Sequence, residues 1–305
     1  DSSTSRGLGD VYKRQPHNRR KYCEDVMTIA KPEPQVKLVG AGPGAADLLT
    51  LRASRAIEWA TVLLVDDLVN PEIVALASPH ARVIHVGKRG GCRQTPQAFI
   101  ERLMIRCAKS GERVVRLKGG DPFIFGRGGE EVQALRAQGL EVEVINGITA
   151  GLASVTSLGV PLTHRQHAQG VVLLTGHARP GAPSTDWVAV AQAAAQLNWT
   201  LVIYMGVREL PAIERGLRQA LRDETPVAVV QHATLPQQRH AVSVLSDLSA
   251  LVQREGLGSP SIVVVGDVLK GLAQTQAIAC ENTGFTEEHL DPAWTQNAST
   301  SLAAL

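Results

Sequence analysis

The run Arg116-Leu-Lys-Gly-Gly-Asp-Pro-Phe-Ile-Phe-Gly-Arg-Gly-Gly-Glu-Glu131 decides the fold. It continues a short β-branched run, Arg113-Val-Val-Arg-Leu117, which reads as a buried strand. It leads into Glu130 to Gln138, which reads as a helix opened by acidic residues where the macrodipole favours them. Between strand and helix lie Gly119, Gly120, Gly126, Gly128 and Gly129, with Pro122 fixing one bend. Open parallel sheets bind ligands at the carboxyl ends of their strands, so this loop reads as the floor of a small-molecule site.

Working outward, the chain of 305 residues with 44% hydrophobic content has enough material for two ordinary domains. A formal net charge of +2 gives no general argument for nucleic acid or membrane. Cys23, Cys92, Cys107 and Cys280 lack metal-ligand spacing and read as reduced, unpaired thiols. No apolar run approaches the roughly 20 residues of a membrane span. No secretory signal is visible, so a cytoplasmic protein is the expectation. Residues 1–34 and 273–305 read as tails without periodicity, the first 15 resembling a cloning scar.

Between the tails, strands and helices alternate. Strands are expected at Val36–Val39, Thr61–Val65, Arg82–Val86, Arg113–Leu117 and Leu140–Ile145. Helices are expected at Asp47–Ala60, Pro71–Ala77, Pro96–Ser110, Glu130–Gln138 and Thr149–Leu158. In the first of these Leu48, Leu51, Ile57 and Trp59 fall on or near one face. Repeated βα units imply a parallel sheet covered on both faces, here residues 35–160. Pro161 to Gly170 reads as a linker, and residues 171–272 as a second α/β domain closed by Ile262–Val265. The runs Pro226–Val230 and Arg239–Leu245 suggest antiparallel pairing in that half. The expected architecture is thus two α/β domains with a ligand cleft between them.

Further stretches occur in a fixed order around the opening run. They are Gly40-Ala-Gly-Pro-Gly44 with Leu48-Leu-Thr50, Asp66-Asp-Leu-Val69, Val86-Gly-Lys-Arg89, Gly147-Ile-Thr-Ala150, Pro161-Leu-Thr-His-Arg165 and Tyr204-Met-Gly206. Gly40-Ala-Gly-Pro-Gly44 alone misses the dinucleotide spacing, and no Gly-Lys-Ser/Thr follows it to make a P-loop. Together, over about Val36 to Leu269, the series closely resembles the tetrapyrrole methylase family, in the branch that methylates uroporphyrinogen III.

The resemblance implies a homodimeric enzyme with S-adenosylmethionine folded in the inter-domain cleft and S-adenosylhomocysteine as product. The implied reaction is C-methylation of uroporphyrinogen III at two pyrrole carbons to give precorrin-2, the branch point to sirohaem and cobalamin. By motif match, cofactor contacts fall on Pro43, Gly119, Gly120, Asp121, Ile124, Thr149, Ala150, Met205 and Ala233, and functional polar residues on Asp66 and Lys88. A sulfonium methyl donor needs no metal, so catalysis is mainly alignment, followed by loss of a proton to a general base. Asp66 at a strand end is the candidate base, with Asp67 as the alternative. The substrate is a polycarboxylate, which suits arginine forks. Candidate substrate cations are Arg89, Arg116, Lys118, Arg127 and Arg165 beside Lys88.

Three positions depart from the family's usual pattern. Ala45 stands for an aspartate, Asn146 for a proline before Gly147, and Ala233 for the glycine of an Asn-Gly-Thr turn. Alternatives are a methylase of a later cobalamin intermediate, a ribosomal-RNA methylase and a non-catalytic nucleotide-binding module. The second would need a stacking platform, against an aromatic content of 4%.

Overall fold

A computed structural model describes residues 34–87, 95–177, 181, 184–270 and 272. Five short β-branched strands build the first sheet: β1 (Val36–Gly40), β2 (Val62–Val65), β3 (Arg82–His85), β4 (Val114–Lys118) and β5 (Val142–Ile145). All pair in parallel, in the order β3-β2-β4-β1-β5, so every carboxyl end lies on one edge. The intervening helices are α1 (Leu51–Trp59), α2 (Pro71–Val74), α3 (Gln97–Lys109), α4 (Gly128–Arg136) and α5 (Ala150–Thr156).

Strand alternation divides the core of this lobe into two layers. Val39, Leu63, Val65, Val115 and Leu117 face α1, where Ala53, Ala56 and Ile57 are buried. Val36, Leu38, Val62, Leu64 and Val114 face α3 and α4, against Ile100, Met104, Cys107, Val132 and Leu135. Truncating a fully buried member such as Leu38 or Ile57 to alanine costs about 2–5 kcal/mol. The apolar face expected for α1 differs in phase. Thr50 Oγ1 accepts from the Ala53 N–H and starts the helix at Leu51, which leaves Leu51 exposed and turns Ala53, Ala56 and Ile57 inward.

The second sheet contains β6 (Gly170–Thr175), β7 (Trp199–Tyr204), β8 (Pro226–Gln231), β9 (Arg239–Val244) and β10 (Ser261–Val265). Its order is β6-β7-β10-β8-β9, parallel only between β6 and β7. The expected antiparallel pair is β8 with β9. The last strand does not close an edge but inserts centrally, where all five residues are buried. Asp186 caps α6 (Trp187–Leu197) by accepting from the Val188 and Ala189 N–H groups. With α7 (Leu210–Leu217) and α8 (Leu248–Arg254), α6 covers one face around Leu201, Ile203, Ile213, Leu217, Val229 and Val263.

The other face of the second sheet takes α5. Val155 clusters with Val202, Tyr204, Ile262 and Val264, and Ile124 and Ala150 pack against the same group. Residues from the β4–α4 loop and α5 therefore join the core of the second sheet, and both sheets lie in one compact unit. Among the described residues no helix is long and apolar enough to cross a membrane.

Candidate functional site

Three strand ends meet at the carboxyl edge of the first sheet, from the adjacent strands β4, β1 and β5. Gly42 and Gly120 exchange both backbone hydrogen bonds, at 3.1 and 2.7 Å, and the Ala41 N–H donates to Lys118 O at 2.8 Å. Gly120 has φ +65, a conformation L side chains rarely adopt. A Cβ on Gly147 would lie 2.2 Å from Gly120 O and 2.8 Å from Gly40 C, so the three backbones touch directly.

Asp121 clasps this junction. It is 6% exposed. Its Oδ1 accepts from the Phe123 N–H at 2.8 Å. Its Oδ2 accepts from Asn146 Nδ2 at 3.0 Å and the Gly147 N–H at 3.2 Å. An ionised carboxylate offers about four acceptor sites, so roughly one remains for a ligand. The Asn146 departure is thereby explained: its amide adds a donor that a proline could not supply. Downstream, Phe125 (φ +52) and Arg127 (φ +59) hold left-handed backbone without being glycine, a strain that concentrates at functional sites. Arg127 is half-exposed and shares its guanidinium with Glu130, which raises its pKa.

Beside the junction, β4 carries a buried ion cluster. Alternation points Arg116 and Lys118 to the α3–α4 face, together with Asp66 just past β2. Glu131 of α4 is completely buried, and its Oε1 meets Arg116 Nε at 3.2 Å, Lys118 Nζ at 3.3 Å and Gln97 Nε2 at 3.0 Å. A second Arg116 nitrogen lies 3.8 Å from Asp66 Oδ2. Arg116 and Lys118 were expected among loop cations facing substrate. They lie instead within a strand, 2% and 4% exposed, with carboxylate partners already in place. Burial lowers the Lys118 pKa, Arg116 lowers it further, and Glu131 opposes both. Asp66 and Asp67 face differently: Asp66 is partly exposed beside Arg116, whereas Asp67 packs against Gly87. Lys88 and Arg89 lie outside the described residues.

The second lobe reaches the same junction at two places. Tyr204 ends β7, buried, with its hydroxyl 2.9 Å from the Gly151 N and 2.8 Å from Thr149 Oγ1. The next residue, Met205, has φ +55 and is half-exposed. After β8, Thr234 Oγ1 accepts from the Ala45 N–H at 3.0 Å, and Asn70 Nδ2 donates to Gly44 O at 3.0 Å. Pro43 is thus held in a turn pinned from both lobes. Ala233 is buried between His232 and Thr234, which carry positive φ while Ala233 does not. The alanine in place of the family's glycine therefore meets no backbone strain. Arg165 is exposed and lines a shallow pocket of about 460 Å³ with Thr163, His164, Ala168 and Gln169.

Of the expected contacts, Gly119, Gly120, Asp121 and Ile124 share one loop, and Thr149 and Ala150 join it through Tyr204. Phe125 packs its ring 4.9 Å from that of Tyr204. Five residues were missed: Asn70, Glu131, Asn146, Tyr204 and Thr234. Tyr204 was legible only as part of Tyr204-Met-Gly206. Glu131 stood at the end of the opening run, where its acidity suggested a helix start.

The model of the tetrapyrrole (corrin/porphyrin) methylases matches residues 35–249. The uroporphyrinogen-III C-methyltransferase of Pseudomonas aeruginosa is 50% identical over 239 residues, covering 78% of this chain and 95% of that protein. The siroheme synthase of Azotobacter vinelandii is 49% identical over 77% of this chain, which spans 50% of that longer protein. A uroporphyrin-III C-methyltransferase of Thermus thermophilus, solved in complex with S-adenyl homocysteine, superposes with a TM-score of 0.64 at 38% identity, over 77% of this chain and 92% of that one.

Proposed function

This chain belongs to the tetrapyrrole methylase family, and we propose that it methylates two pyrrole carbons of uroporphyrinogen III to give precorrin-2, on the route to sirohaem and cobalamin. The observation that carries the reading is the junction of strand ends itself, where loops from β1, β4 and β5 meet Tyr204 and Thr234 of the second lobe. Its donor set suits S-adenosylmethionine: bare glycine backbone, the Thr149 hydroxyl, one remaining acceptor site on Asp121, and a half-exposed thioether at Met205 for an apolar ring face. Bound there, the cofactor supplies an electrophilic methyl group without a metal.

The remaining roles belong to this chain's residues. Gly119, Gly120 and Ile124 shape one wall, and Thr149 and Ala150 the other. Asp66, at the neighbouring strand end, receives the proton lost after methyl transfer. Arg116 holds Asp66 from behind, and Glu131 anchors Arg116 and Lys118. Arg127 and Arg165, both exposed, take substrate carboxylates together with Lys88 and Arg89. The enzyme works in the cytoplasm as a homodimer, a state that light scattering checks.

The test is an anaerobic incubation with uroporphyrinogen III and methyl-labelled S-adenosylmethionine, read by product mass. Two methyl groups per tetrapyrrole support the proposal. Uroporphyrinogen III left unmethylated, while a later cobalamin intermediate supplied in a parallel incubation takes up the label, overturns it in favour of the neighbouring branch.

A further inference from the structure

One side chain touches two of the stretches that surround the junction, and its backbone continues into a third. The Tyr204 ring packs on Phe125 of the β4–α4 loop with centroids 4.9 Å apart. Its hydroxyl accepts from the Gly151 N–H at 2.9 Å and sits 2.8 Å from Thr149 Oγ1. Its own backbone leads directly into Met205, held at φ +55. The fit at Gly151 is tight, because a Cβ there would come 2.2 Å from the hydroxyl oxygen and 2.7 Å from Cζ. Thr149 makes no capping bond to its own helix, so its side chain answers to Tyr204.

We propose that Tyr204 is a positioning residue for cofactor binding, fixing Thr149 and Ala150 of one lobe in register with Met205 of the other. The inference rests on the cofactor assignment above and adds a residue that contacts the cofactor only through its neighbours. With the phenol accepting from the Gly151 amide, the 2.8 Å contact fixes the Thr149 hydroxyl whichever of the two oxygens donates. Burial raises the Tyr204 pKa, against the smaller opposing effects of Thr149 and Gly151, so the phenol stays neutral at physiological pH and the link persists there. Preorganisation of this kind acts on affinity, because segments fixed in advance lose less freedom on binding.

Calorimetric titration with S-adenosylhomocysteine tests this on wild type, Tyr204→Phe and Gly151→Ala. Phenylalanine keeps the ring contact and removes the hydroxyl, whereas the Gly151 substitution keeps the phenol and drives it off its partners. Both variants should raise Kd about tenfold, roughly the effect of one lost buried hydrogen bond to a neutral partner. The KM for S-adenosylmethionine should rise in parallel, with kcat at saturation kept within a few-fold. A merely structural tyrosine would lower the melting temperature and leave Kd within twofold of wild type, and that result overturns the proposal. Tyr204→Phe keeping its affinity while Gly151→Ala loses it would also overturn it, by tracing the effect to steric clash alone. Failure of wild type to bind S-adenosylhomocysteine would refute the cofactor reading, and this inference with it.

Discussion

Replacing Glu131 with glutamine keeps the shape of the side chain and one acceptor oxygen but removes the only completely buried negative charge of the ion cluster. Arg116 and Lys118 are then left as two buried cations, with Asp66 at 3.8 Å from Arg116 as the remaining partner. Removing one partner of a buried pair costs about 3–5 kcal/mol, since the other charge stays desolvated. Asp66 offsets part of this, and Lys118 can shed its proton, so the lower end, about 3 kcal/mol, is expected. At about 2–4 °C per kcal/mol, the melting temperature falls by roughly 6–12 °C. The pH dependence has a definite sign. Burial and Arg116 already lower the Lys118 pKa, and the neighbouring Glu131 carboxylate is the largest effect opposing them. Without Glu131 the folded value drops further below the ordinary lysine value of about 10.4, so above the folded value the unfolded chain holds more protons than the fold. Stability of the variant therefore rises with pH across that window, and its deficit against wild type shrinks from neutral towards alkaline solution. Fluorescence melting curves of both proteins at a series of pH values measure this. A fall of less than about 2 °C, or a deficit that grows with pH, would refute the idea that Glu131 compensates buried cations.

Two further substitutions probe the site. Asp66→Asn should bind S-adenosylhomocysteine almost normally yet lose about two to four orders of magnitude in turnover, while Asp67→Asn loses little; steady-state kinetics with the reverse pattern would move the base to Asp67. Gly147→Ala should destabilise by about 2–3 kcal/mol, because the new methyl meets only backbone at Gly120 and Gly40. Gly129→Ala, with open space around its Cβ in α4, should instead stabilise by about 0.5 kcal/mol, and equal melting temperatures for the two variants would contradict this packing.

Much of this architecture was legible in residue order. The β-branched runs ending at Gly40, Asp66 and Lys118 announced buried parallel strands, and glycine punctuation placed the functional loop at their carboxyl ends. The pairing order was less accessible. Nothing local in Ser261–Val265 says that the last strand inserts between β7 and β8, because hydrophobic runs specify burial on both faces but not neighbours. Charges misled in a similar way. Arg116 and Lys118 flank a glycine loop and suggest exposed cations, yet strand alternation turns both inward, where Glu131 supplies the compensation from 13 residues downstream of Lys118. Contacts across lobes, such as Thr234 with Ala45 over a separation of 189 residues, leave no trace in spacing.

The central claim is that backbone from both lobes converges on one cofactor site at the carboxyl ends of β1, β4 and β5. Hydrogen exchange of the intact chain, with and without saturating S-adenosylhomocysteine, tests it most directly. Added protection should concentrate on residues 41–45, 119–127, 147–151, 205–206 and 232–235, while the turn at 163–169 exchanges unchanged. Protection at 163–169 without change in the glycine-lined loops, or protection in the first lobe alone, would contradict it.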